Sequence, residues 1–135
     1  MSRSDPPSAG RHALVIDDDR ALRGLFTTLL GRQGFTVDVA GDGRVAFDQL
    51  NRNNYSVILL DLMMPDVNGV ELLDRMERDT PSLLERVIVM TGAAPRQVDR
   101  VGGKPVWDVI RKPFDIDHLV SSAIACSDGK QRGNA

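Results

Sequence analysis

Four apolar runs of strand length each end on residues able to do chemistry. Residues 13–16 end on Asp17, Asp18 and Asp19, residues 56–60 on Asp61, residues 87–90 on Thr91, and residues 106–110 on Arg111, Lys112 and Pro113. Carboxylates crowded together repel, and such a cluster persists when a cation is bound or when one group stays protonated. A divalent metal is the simpler answer. Carboxylate oxygens suit Mg²⁺, which uses one or two of them and keeps several waters that phosphate oxygens can replace. A carboxylate is also a phosphoryl acceptor, forming an aspartyl phosphate, and Asp61 is the candidate nucleophile. The Thr91 hydroxyl and the Lys112 ammonium can meet phosphoryl oxygens. Phosphoryl transfer leaves little covalent work to a protein, so metal, lysine and hydroxyl suffice without a histidine base.

These residues meet only if the strands are parallel and their carboxyl ends share one edge. The runs alternate with segments of helical period, which predicts that arrangement. Leu22, Leu25, Phe26, Leu29 and Leu30 lie on one helical face, with Asp19 placed to cap the helix and Gly34 to end it. A second strand over 36–40 leads through Gly41-Asp42-Gly43 into a helix carrying Val45, Ala46 and Leu50. The third strand, 56–60, is almost continuously apolar, as expected of a strand covered on both faces. A helix from about Val70, a Thr80-Pro81 helical turn and a weakly patterned helix around 95–101 separate the later strands. The last helix places Ile116, Leu119, Val120, Ala123 and Ile124 on one face, with Asp115 as cap and Phe114 and Leu119 as a hydrophobic staple. Right-handed crossovers then give a single doubly wound α/β domain: a five-stranded parallel sheet of order 2-1-3-4-5 with helices on both faces, the flavodoxin-like arrangement. Ligands in such sheets bind beyond the strand ends where the winding reverses, between strands 1 and 3, where Asp17, Asp18 and Asp61 converge.

The 135 residues, 41% of them hydrophobic, suffice for one core. Residues 1–11 and 127–135 are polar and read as tails around a domain at 12–126. A net charge of −2 without a basic block gives no reason to expect direct nucleic-acid or anionic-lipid binding. No run reaches the ~20 apolar residues of a membrane span. The start MSRSDPPSAGRH has no apolar stretch suited to a signal sequence, and the single Cys126 cannot form an internal disulfide, so a cytoplasmic protein is expected.

VIDDDR, LLDLMMPDVNG, VMTG and RKPF, in this order and spacing, resemble the receiver domain of bacterial two-component response regulators over roughly residues 12–126. The resemblance implies that Asp18 binds Mg²⁺ directly and Asp17 mainly through water. It further implies that Asp61 is metal ligand and phosphoacceptor, and that the Met63 backbone carbonyl completes the protein ligands. It implies that Thr91 and Lys112 contact the phosphoryl group and that the Lys112–Pro113 bond is cis. The donor would be a phosphohistidine on a sensor histidine kinase or histidine phosphotransfer protein. Such a domain is not an enzyme in the usual sense, since it catalyses only its own phosphorylation and dephosphorylation. The output would be a changed face made by the fourth helix, fifth strand and fifth helix, carrying Arg96, Arg100, Trp107, Val109 and His118. That face would dock a downstream protein target or a second copy. One position departs from the family: receivers commonly carry Tyr or Phe three residues before the lysine, where this chain has Val109. Trp107, two residues earlier, is expected on the same side of the strand.

Blander readings compete with each residue. Asp17–Asp19 alone would be a capping cluster, Thr91 a strand-end hydroxyl and Lys112 a solvated charge. Their combination is what favours the phosphoryl site. Gly41-Asp42-Gly43 reads as a helix-opening turn, not a nucleotide fingerprint. His12, assigned to the tail, and His118 read as structural or solvated, and Cys126 as incidental. A small phosphatase with an aspartate nucleophile would need a Thr and an apolar residue where Arg20 and Ala21 stand. A receiver-like module that binds a partner without phosphorylation would ordinarily lack one of the acidic residues or the lysine, and none is missing. No output domain is recognised in these residues, so the switch acts alone or belongs to a longer regulator.

Overall fold

The computed structural model describes residues 11–62, 64, 69–92, 101 and 103–129. The most apolar run becomes β3 (Val57–Asp61), with all five residues buried. A strand so buried must lie inside the sheet. It pairs in parallel with β1 (His12–Ile16) on one side and β4 (Val87–Thr91) on the other. The edges are β2 (Thr36–Ala40) and β5 (Asp108–Arg111), giving the order β2-β1-β3-β4-β5.

Local signals set the helix ends. In α1 (Arg20–Gly31) the Asp19 carboxylate accepts from the amides of Ala21 and Leu22, and Gly34 turns the chain out at φ 87°. Asp42 caps α2 (Gly43–Arg52) through the Val45 amide. The third helix, α3 (Gly69–Asp79), is followed by a 3₁₀ turn at Pro81–Arg86, where the Thr80-Pro81 signal placed a helical turn. Asp115 caps the C-terminal helix (Ile116–Ser127), and Phe114 and Leu119 pack into the same apolar cluster, as a staple requires. The helix expected around 95–101 falls largely on residues 93–100, outside the described residues. No helix among the described residues is long and apolar enough to cross a membrane.

The core has two halves, one on each face of the sheet. Leu14, Ile16, Ile58, Leu60, Val87 and Val89 face α3, while Ala13, Val15, Val57, Leu59, Ile88 and Met90 face Phe26, Leu30 and the C-terminal helix. Alternation along each strand produces this division. Cys126 is buried in the second half, and burial pushes its thiol up to about 12, far from reactive thiolate.

Two expectations are corrected. His12 is the first residue of β1, not part of a tail: its Nε2 lies 2.9 Å from Asp38 Oδ2, and its ring stands 4.6 Å from that of Tyr55. Trp107 does not share a side with Val109. Val109 packs against the α3 half of the core, whereas Trp107 packs in the other half and donates from Nε1 to Ser122 Oγ at 3.2 Å. Ser122 in turn donates to Asp108 Oδ2 at 3.1 Å, so residues 107 and 108 both meet the C-terminal helix. The strand begins at Asp108, and strict alternation starts only there.

Candidate functional site

Ile16 lies opposite Leu60 in the β1–β3 register, so the next residues, Asp17 and Asp61, reach the same edge of the sheet. Asp17, Asp18 and Asp61 each offer a carboxylate oxygen, all within 4.8 Å of one another. Their surroundings differ. Asp17 is wholly buried and Asp61 4% exposed, while Asp18 faces solvent. Asp17 is drawn inward by its own backbone, whose amide donates to Ala40 O at 3.1 Å. Its Oδ1 accepts from the Asp19 amide at 2.9 Å, but its Oδ2 is buried with no hydrogen-bond partner among the described residues. Burial pushes the Asp17 carboxyl up to about 6; the Asp19 hydrogen bond opposes this, and the Asp61 charge adds to it.

A buried carboxylate oxygen without a partner is costly unless a cation meets it. An all-oxygen donor set with one water-facing member suits a hard divalent ion that retains waters. The residues present therefore fit Mg²⁺. The cationic counterpart within the protein is Lys112, whose Nζ lies 3.4 Å from Asp61 Oδ2. Register sets Asp61 opposite Met90, so Thr91, buried at the end of β4, follows at the same edge, and its carbonyl accepts from the Lys112 amide at 2.8 Å.

A family model, that of the response regulator receiver domain, matches residues 13–124. The chain belongs to this family. The transcriptional regulatory protein CpxR of Escherichia coli strain K12 is 38% identical over 112 residues, covering 80% of this chain and 45% of the relative. The alkaline phosphatase synthesis regulator SphR of Synechococcus elongatus is 33% identical over 129 residues, or 86% and 49% of the two chains. The chain thus spans about half the length of these curated relatives. Among solved structures, the receiver domain of the Francisella response regulator 1452 superposes with a TM-score of 0.78 at 28% identity, covering 88% of this chain and 98% of that one. A CheY-like receiver from Methanospirillum hungatei shares the fold with a TM-score of 0.80 at 22% identity, covering 88% and 94%.

In this receiver domain the Lys112–Pro113 bond is cis, as expected. Met63, Arg96 and Arg100 lie outside the described residues. Two contributors were not singled out from the sequence. The Arg23 guanidinium donates to Asp17 O at 2.7 Å, steadying the backbone beneath the cluster. Gly69, last residue of the quoted LLDLMMPDVNG, opens α3 hard against the acceptor strand: a Cβ there would lie 2.6 Å from Leu62 Cα and 2.8 Å from Asp61 O. Backbone atoms cannot step aside, so Gly69→Ala should lower the unfolding free energy by about 1–3 kcal/mol, read from urea midpoints. Gly92→Ala is the control, because its Cβ would sit at an ordinary 3.8 Å from Lys112 Cβ. It should stay within about 0.5 kcal/mol of the parent.

Proposed function

We propose that this receiver domain is a phosphorylation-dependent switch in which Asp61 accepts a phosphoryl group from a phosphohistidine donor. The observation that carries this reading is the Asp61 carboxylate, held at the sheet edge between two further carboxylates and the Lys112 ammonium. Asp17, Asp18 and Asp61 would hold Mg²⁺, joined by the Met63 carbonyl that the resemblance adds. When bound, the ion supplies positive charge to the phosphoryl oxygens.

An Asp61 carboxylate oxygen attacks phosphorus while the phosphorus–nitrogen bond of the donor breaks, and its electron pair leaves on the imidazole nitrogen. Lys112, already 3.4 Å from Asp61, stays beside the new acyl phosphate and offsets its charge. Thr91, at the end of β4, would donate its hydroxyl to a phosphoryl oxygen. Asp17 needs no protonation role, because its position serves to bind the cation. The donor would be a sensor histidine kinase or histidine phosphotransfer protein. The responding face would include β5 and the C-terminal helix, with Trp107, Val109 and His118, and would meet a downstream protein or a second copy.

Incubation with acetyl phosphate and Mg²⁺ should add one base-labile, acid-stable phosphoryl group, measured by intact mass. Excess chelator should prevent it. Equal labelling in chelator would overturn the metal-dependent reading.

A further inference from the structure

Lys104 is held by two carboxylates of α3. Asp74 and Glu77, three residues apart on one face of α3, both reach it: Nζ lies 2.8 Å from Asp74 Oδ1 and 2.7 Å from Glu77 Oε1. The lysine side chain is 11% exposed, against 41% and 47% for its partners. Exposed single pairs contribute little, but a nearly buried ammonium deprived of both carboxylates is an uncompensated charge. The two carboxylates hold its pKa above the ordinary lysine value.

The backbone of the same segment is tied as tightly. The Lys104 amide donates to Val101 O at 2.9 Å, Val106 to Lys104 O at 2.8 Å, and Trp107 to Val87 O at 2.8 Å. Val101 and Val106 are buried in the half of the core that holds Leu72, Leu73 and Met76 of α3. At its other end α3 starts at Gly69, against the backbone of Asp61 and Leu62. Along the helix, Asp74 and Glu77 lie five and eight residues from Gly69, so α3 is a rod of about 8–12 Å between the acceptor strand and the Lys104 clamp. Close-packed contacts of this kind transmit displacement because they cannot be compressed.

We infer that Lys104 is a positioning residue that couples the phosphoacceptor end of the domain to the β5 face, by bolting the chain entering β5 onto α3. This route needs no aromatic ring at Val109. It presupposes Asp61 as phosphoacceptor. Movement of the Asp61–Leu62 backbone displaces the start of α3, and Asp74 and Glu77 carry the displacement to Lys104 and on to Trp107.

Trp107 is the single tryptophan of the chain, so its emission reads the far end of this route. The 135-residue chain is treated with acetyl phosphate and Mg²⁺, with labelling followed by mass and the change in emission followed in parallel. Lys104→Met should be labelled to within about twofold of the parent, while its Trp107 change falls by about threefold or more. Lys104→Arg should retain the change. Glu77→Gln, which keeps Asp74 as partner and so is the gentler variant should Lys104→Met fail to fold, should reduce it by a smaller factor. A labelled parent whose Trp107 emission does not move overturns the coupling, as does a parent-sized change in Lys104→Met or, if that variant does not fold, in Glu77→Gln. A parent that is not labelled at all instead overturns the reading of Asp61.

Discussion

Replacing Asp61 by Asn is expected to reduce phosphoryl incorporation at least about a hundredfold, because an amide is not a nucleophile and no neighbouring group replaces it at the same position. Asp18 is exposed, and Asp17 is buried with one oxygen engaged by the Asp19 amide, so neither carboxylate stands where Asp61 does. Asn is nearly isosteric, and the fold should survive, which near-unchanged far-ultraviolet circular dichroism would verify. Lys112→Ala should label more slowly than the parent but not abolish the product, since the lysine stabilises charge and does not form the bond. Parent-like labelling of Asp61→Asn would place the acceptor elsewhere and overturn the proposed chemistry.

Asp17→Asn is expected to raise the metal-free stability at pH 7.5 by about 2 kcal/mol while abolishing most of the stabilisation that millimolar Mg²⁺ gives the parent. The carbonyl of the introduced amide can still accept from the Asp19 backbone N–H, so the substitution removes a buried charge and little else. The Asp17 carboxyl is pushed up to about 6 in the folded chain, from 3.8 as its ordinary value. The folded state therefore holds a proton that the unfolded state has released between those pH values. Its stability contribution is full below pH 4, is lost as pH rises to about 6, and is flat above. About two pH units at ~1.4 kcal/mol each set an upper size of about 3 kcal/mol. Urea midpoints in chelator from pH 4 to 8 should show this decline in the parent and a shallower one in Asp17→Asn. A variant less stable than the parent at pH 7.5 without metal would mean that the buried Asp17 charge does not destabilise the metal-free fold.

That the large effect belongs to Asp17, and not to Asp18, illustrates where sequence reading stops. Two adjacent aspartates after an apolar run are equivalent on paper. The contact of the Asp17 amide with Ala40 O, across to β2, turns one inward and leaves the other in water. Such a contact joins residues 23 positions apart and leaves no local trace.

Much else was legible because it is encoded over short spans. The all-buried run of β3, the caps Asp19 and Asp115 and the switches between strand and helix periods are properties of a few neighbouring residues. Together with right-handed crossovers they determined the strand order and hence the edge on which Asp17, Asp61, Thr91 and Lys112 meet. Only the tertiary structure decided that Gly69 must lack a side chain, that Trp107 faces the C-terminal helix, that His12 pairs with Asp38, and that Lys104 joins two carboxylates of α3. Each of these depends on the distance between segments remote in the chain, and residue periodicity carries no information about such distances.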